Sequence, residues 1–302
     1  MNQQTNLIYL NEDIKNKQYK ELIDKIKSID DLKYLFNDNN ECKNHLVKCI
    51  SNVNKYKFLY DYIDLYLSFN SDKVDEKDVH DCTLIMIASL IYDEKLIKII
   101  LKYSPNLELL NCSNQTVLFE VCCIENTNIL NNILCLLLNK KVNLNAKNNY
   151  NETPFFKLCK NKYANIDSFK MFLDKNIDIT HKDLYNSDAL HIFLSYNNDN
   201  SKIIDLFYEY GFKFNDYKDI FNFNYIDYAL LYDKYDCLIR ILLYYDNLNI
   251  LCYVKDIKFD YKPVKLIKIL YHYYYDIEMI KLAISKGAKK EDLINDMLLD
   301  FI

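Results

Sequence analysis

The phrase TPFFKLC at Thr153 returns along the chain in altered letters: TVLFEVC at Thr116, TLIMIAS at Thr83, DALHIFL at Asp188, NYIDYAL at Asn224 and KPVKLIK at Lys262. The spacings are 33, 37, 35, 36 and 38 residues, and a weaker copy, NHLVKCI at Asn44, lies 39 residues before Thr83. A fixed period of roughly 20–50 residues marks a repeat architecture, in which no unit can bury its apolar face alone and each needs a neighbour. The folding unit is therefore a short module used many times.

Each copy has two parts, a short apolar helix and, after a polar break, an amphipathic one such as IDSFKMFLDK or KIIDLFYEY. In the first of these, Ile166, Phe169, Phe172 and Leu173 recur at helical spacing. The Tyr- and Phe-rich faces read as interhelical core, because aromatic side chains bury large areas between stacked helices.

Only 2 glycines and 3 prolines punctuate 302 residues, so the turns need another chemistry. Two residues before each Thr-Pro position stand Asp81, Asn114, Asn151, Asn186, Asn222 and Asp260. Asn and Asp are the non-glycine residues that best tolerate positive φ. Three positions earlier come Asp78, Asn111, Asn148, Asp183 and Asp219, suited to the first place of a turn. The slot closing the second helix reads Ser104, Lys141, Asn176, Gly211, Asp246 and Gly287, so both glycines of the chain fall in one column. A left-handed residue after a helix prefers Gly first and Asn next.

With these columns in place the units resemble ankyrin repeats. The family pattern D-x-x-G-x-T-P-L-H-x-A is approximated by NNYNETPFFKLC, and L-L-x-x-G-A-D-x-N by LLLNKKVNLNAKN at residues 136–148. The resemblance implies an all-α solenoid of stacked helix-turn-helix units with short hairpin turns, about six to seven repeats in all. The expected organisation is a helical cap at 1–40, repeats at 41–77, 78–110, 111–147, 148–182, 183–218, 219–256 and 257–290, and a C-terminal cap at 291–302.

The same resemblance implies a scaffold or adaptor that binds another protein through its hairpin tips and the concave face of its first helices. The concave positions are then Ile87, Glu120, Lys157, Ile192 and Tyr228, with Tyr150 and Tyr185 as tip anchors. His191 occupies the slot whose ring, in the family, holds the hairpin. An alternative with the same binding mode is a host-interaction factor of a virus or parasite, which the AT-rich residue usage fits.

Charge argues against a nucleic-acid partner: 38 Lys and Arg face 43 Asp and Glu, a net −5, and Arg240 is the sole arginine. No stretch approaches a membrane span or a signal peptide, so an intracellular protein, cytoplasmic or nuclear, without a membrane partner is expected, and a monomer. None of the ten cysteines forms a C-x-x-C pair, so neither a metal nor another cofactor is expected. An enzymatic reading would rest on Cys122, Cys123 or Cys159 with His181 or His191. Those thiols fall where the inner helices should be buried, and a buried thiol is inert.

Replacing Gly211 with Val is expected to destabilise the protein by about 1–2 kcal/mol, the cost of holding a Cβ-bearing residue at positive φ. Thermal melts of the two proteins measure it, and an unchanged melting temperature would refute the assignment.

Overall fold

A computed structural model of the chain describes residues 45–54, 57, 59–248, 251–255, 261–266, 270 and 277–289; the expected caps at 1–40 and 291–302 lie outside them. In order, the helices are α1 (His45–Asn52), α2 (Leu59–Phe69), α3 (Leu84–Leu90), α4 (Glu94–Leu101), α5 (Val117–Val121), α6 (Thr127–Leu138), α7 (Pro154–Lys160), α8 (Ile166–Leu173), α9 (Ala189–Tyr196), α10 (Ser201–Glu209), α11 (Tyr225–Leu231) and α12 (Tyr235–Tyr244). Beyond α12 come two strands, β1 (Leu251–Lys255) and β2 (Tyr261–Lys265), then α13 (Ile277–Ser285).

Contacts divide the chain into two compact units. The first ends at Ile124 and takes in Asn132–Asn143; the second holds Glu125–Asn131 and the chain from Leu144 onward, so the division falls within α6. In the first unit α1, α3 and α5 form an inner row and α2 packs on α4 outside it. In the second, α7, α9 and α11 form the inner row, with α8, α10, α12 and α13 the outer one.

Sequence dictates where the inner helices begin. Thr83, Thr116, Thr153, Asp188 and Asn224 each stand at an N-cap in extended conformation, and Pro154 comes directly after Thr153, where its missing N–H costs nothing. Asp188 and Asn224 also accept backbone N–H groups of the first turn through their side chains.

The two cores differ in kind. Aliphatic side chains such as Leu84, Ile97, Ile100 and Val117 fill the first. Phe155, Phe169, Phe193 and Phe207 meet edge to face in the second at centroid separations of 5.9–6.4 Å, a geometry aromatic quadrupoles favour. The tyrosines divide: Tyr225 and Tyr245 are buried, while Tyr150, Tyr163, Tyr185, Tyr196 and Tyr232 are exposed.

Five hairpins share one construction. The N–H of Asp78, Asn111, Asn148, Asp183 and Asp219 donates to the carbonyl four residues on, and each of these side chains accepts two further backbone N–H groups at 2.8–3.0 Å. The turn closes on a left-handed residue: Asp81 (φ 60°), Asn114 (56°), Asn151 (57°), Asn186 (58°) and Asn222 (66°). Asn does here what Gly cannot. Asn151 donates its amide to the Lys182 carbonyl at 2.7 Å and Asn186 to that of Lys218 at 3.3 Å, so each residue that turns one hairpin also fastens the next.

Gly211 (φ 85°), Gly287 (99°), Ser104 (52°) and Asn176 (53°) are left-handed at the ends of outer helices. Lys141 and Asp246 are not, against the reading of that column. After α12 the chain leaves through Tyr245, extended and buried, so packing of that ring replaces the left-handed exit. Tyr92 (57°) and Asp233 (53°) are left-handed at inner-helix ends, where the column gave no sign of it.

The largest departure is at KPVKLIK. In place of an inner helix, residues 261–265 pair antiparallel with 251–255, Cys252 opposite Val264 and Tyr253 opposite Pro263, and β1 packs on α11. LCYVK and YKPVK each carry a Tyr and a Val, residues that favour strands, and β propensity overrides the repeat period there.

Outer helices lock through phenols. Tyr103 donates to Asp64 at 2.6 Å with Lys102 on the other carboxylate oxygen at 2.8 Å; Tyr244 donates to Asp205 at 2.6 Å, and Tyr210 to Asp174. In each case the partners are one repeat apart.

Asn151→Gly keeps the turn and loses the fastening, and should lower stability by about 0.5–1.5 kcal/mol. Asn151→Ala adds the cost of left-handed backbone, about 1–2 kcal/mol more. Urea denaturation of both variants ranks them; Gly as stable as Asn would show that the amide contributes only its tolerance of the turn.

Candidate interaction surface

Between the first turn residue and the left-handed Asn or Asp, two residues of each hairpin point away from the fold. In the second unit these are Asn149 and Tyr150, Leu184 and Tyr185, and Ile220 and Phe221. Five of the six are large and apolar, and all are exposed, Leu184 by 62 % and Ile220 and Phe221 by 58 % each. The first unit offers Val79, His80, Cys112 and Ser113, of which only Val79 is a large apolar residue.

The tips are coupled to one another. Leu184 donates its N–H to the Tyr150 carbonyl and Ile220 to that of Tyr185, both at 3.1 Å, as Cys112 does to His80 at 3.0 Å in the first unit. The rings of Tyr185 and Phe221 stack at 6.2 Å and 20°. Beneath them, His181 Nε2 meets the Asn151 carbonyl at 2.7 Å and the Tyr217 hydroxyl donates to that of Asn186 at 2.9 Å. This apolar row is held in place by backbone hydrogen bonds and ring stacking.

The mid-helix column has a different duty. Glu120 accepts from the Asn111 amide at 3.0 Å, Lys157 bridges to Glu152 at 3.2 Å, and the Tyr228 hydroxyl donates to Asp219 at 2.6 Å. All three half-buried side chains reach back and brace their own hairpin. Ile87 and Ile192 are buried at only 8 % exposure. The exposed inner-helix positions lie three or four residues further on, at Leu90, Tyr196 and Tyr232. Sequence reasoning missed these, and also Leu184, Ile220 and Phe221. The signal lay in the turn itself, whose first tip position is as solvent-facing as its second.

Under the second unit's hairpins lies a buried polar network. Asp188, 1 % exposed, accepts from Lys182 at 2.8 Å, the Tyr225 hydroxyl at 2.7 Å and His191 Nδ1 at 2.9 Å. Burial pushes its carboxyl up, but the His191 ring and the Lys182 ammonium outweigh this and hold it at about 2. Nδ1 faces both this carboxylate and the Asp188 backbone N–H, and the buried Nε2 lies against the rings of Tyr225 and Tyr228 without a hydrogen-bond partner. Glu152 is treated likewise: burial raises its carboxyl, yet Lys160 at 2.5 Å and the Asn148 amide at 2.9 Å bring it below the usual range. His191 thus braces the helix start.

The cysteines divide. Cys122 and Cys159 are buried, and burial drives the Cys159 thiol well up, whereas Cys123, read as a core position, is exposed. Among the described residues no cluster of His, Cys, Asp and Glu is arranged to hold a metal, and no helix is long and apolar enough to cross a membrane.

No family model matches the sequence, and no curated protein matches it. Solved structures do match the fold. The ankyrin repeat protein EF0377 aligns with a TM-score of 0.55 at 20 % identity, over 66 % of this chain and 96 % of that one. A chain from the complex of the predatory endopeptidase Bd0816 of Bdellovibrio bacteriovorus with immunity protein Bd3460 aligns with a TM-score of 0.54 at 18 % identity, over 68 % and 98 %. The fold is ankyrin-like.

The folded-state value of Asp188 lies below its ordinary 3.8, so its stabilisation is complete above that value and is lost as pH falls through about 2. Asp188→Asn should cost about 1–3 kcal/mol at pH ~7, since the charge-assisted hydrogen bonds to the buried carboxylate are weakened, and the gap to wild type should narrow across the acid window. Urea denaturation at stepped pH measures this; a gap independent of pH would refute the assignment.

Proposed function

We propose that this chain is a non-enzymatic scaffold that binds a partner protein through the apolar hairpin tips of its second unit. The observation that carries the reading is the row Tyr150, Leu184, Tyr185, Ile220 and Phe221, exposed together on hairpins hydrogen-bonded tip to tip. Exposed, contiguous apolar surface marks interaction sites, and rigid aromatic anchors dominate their energetics. Of the concave positions, Glu120, Lys157 and Tyr228 support the tips from behind, while Ile87 and Ile192 contribute to the core. Tyr150 and Tyr185 remain anchors.

Three findings support binding over catalysis. The Cys159 thiol is buried and its ionisation suppressed. His191 is engaged by Asp188, and His181 by the Asn151 carbonyl. A similar fold is also found in a structure whose components are an endopeptidase and an immunity protein, a setting of protein recognition.

Benzoylphenylalanine placed at Tyr150 or Tyr185 should crosslink a protein in lysate of the cells that express this chain, and at Leu243, exposed on outer helix α12, should not. Adducts at Leu243 with none at the tips, read by mass spectrometry, would overturn the assignment.

A further inference from the structure

Resting on that reading of the tips, we infer that the partner segment is apolar and acidic: a peptide stretch whose Leu, Ile or aromatic side chains meet the tips and whose Asp or Glu side chains meet a flanking line of lysines.

The chain as a whole is acidic, yet the charges around this ridge are sorted by depth. Asp183, Asp188, Asp219 and Glu152 are all buried. Their acceptor capacity is engaged from within: Asp183 takes the N–H groups of Tyr185 and Ser187, and Asp219 those of Phe221 and Phe223 with the Tyr228 hydroxyl. Asp188 is saturated by Lys182, Tyr225 and His191, and Glu152 by its two lysines and the Asn148 amide. A partner approaching the ridge therefore meets few carboxylate acceptors. Asp216 and Asp178 are exposed: Asp216 takes the Asn224 amide at 2.6 Å and lies 4.0 Å from Lys218, and Asp178 takes the Thr180 N–H at 3.0 Å and its hydroxyl at 2.8 Å.

Lysines are placed the other way round. Lys147, Lys182 and Lys218 occupy the position just before each of the three turns, at spacings of 35 and 36 residues. Lys147 is exposed, and the side chains of Lys182 and Lys218 are 32 % and 27 % exposed. The Lys182 ammonium lies over the Tyr217 ring at 3.5 Å and gives one of its three donors to Asp188 at 2.8 Å. An ammonium carries three donors, so the rim offers donors and the ridge offers apolar contact. The complement is a segment carrying carboxylates beside apolar side chains.

Aromatic groups beside lysines also suit single-stranded nucleic acid, where bases stack on rings. The geometry favours peptide. Tyr185 and Phe221 stack on one another rather than standing apart to admit a base, and Leu184 and Ile220 offer no flat face.

The test is selection from a displayed library of random peptides about twelve residues long on the full chain, with two variants for comparison. Wild type should enrich peptides containing Leu, Ile, Phe or Tyr together with Asp or Glu. An Ile220→Asn, Phe221→Asn variant alters side chains exposed at the tips and should lose the enrichment. A Lys147→Glu, Lys218→Glu variant should keep the apolar preference and lose the acidic one. Synthesised winners should bind wild type at least about tenfold more tightly than copies with Lys for each acid, and weaken as salt rises from about 0.05 to about 0.5 M. Enrichment without charge bias, or with basic bias, that still vanishes in the tip variant overturns the acidic partner and leaves the tip reading standing. Enrichment indifferent to the tip variant, or none, overturns both. Tip-dependent binding of fluorescein-labelled oligouridine overturns the proposal in favour of nucleic acid.

Discussion

Much of this fold turns on backbone held at positive φ by residues that are not glycine. Each hairpin starts with a side chain that accepts two of its own turn's N–H groups and ends with an Asn or Asp in the left-handed region. The left-handed conformation costs a Cβ-bearing residue about 1 kcal/mol or more, and Asn recovers some of it through local hydrogen bonding. At Asn151 and Asn186 the amide reaches further, to the carbonyl of the following repeat. Local turn chemistry and long-range stacking are thus carried by the same atoms. Without that coupling the tips would be separate loops, and an apolar residue on a separate loop is a liability rather than a surface.

The buried charges arise from the same construction. A hairpin that begins with Asp brings a carboxylate against the stack, and a helix that begins with Asp188 brings another. Neither stays ionised in a dry interior unless donors surround it. Backbone N–H groups, tyrosine hydroxyls and lysines arriving from the surface supply them. The acids are drawn inward by the turns and the lysines anchored at the rim, which gives an acidic chain a locally donor-rich edge.

The repeat was legible because its period is written in apolar residues, and the hairpins because Asn and Asp fall in fixed columns. What stayed illegible depends on side chains reaching across the period. Nothing local to Glu120, Lys157 or Tyr228 shows that each reaches back to its hairpin, nor that Tyr103 finds Asp64 a repeat away. Sequence spacing placed those three in one column and told nothing of what occupied them. The strands at 251–255 and 261–265 escaped for a different reason. The period predicts a helix there, and the local strand preference of Tyr and Val wins.

The fastening between hairpins has the same donor and the same acceptor position wherever it is seen in the second unit: the left-handed Asn gives, and the carbonyl just before the next turn receives. Such a joint is indifferent to which module comes next. A module lost or duplicated by recombination would leave neither an orphaned donor nor an unmatched acceptor, only a longer or shorter row of tips. At this joint a lineage carrying this chain can therefore change the length of the row of tips without redesigning the hydrogen bond between hairpins.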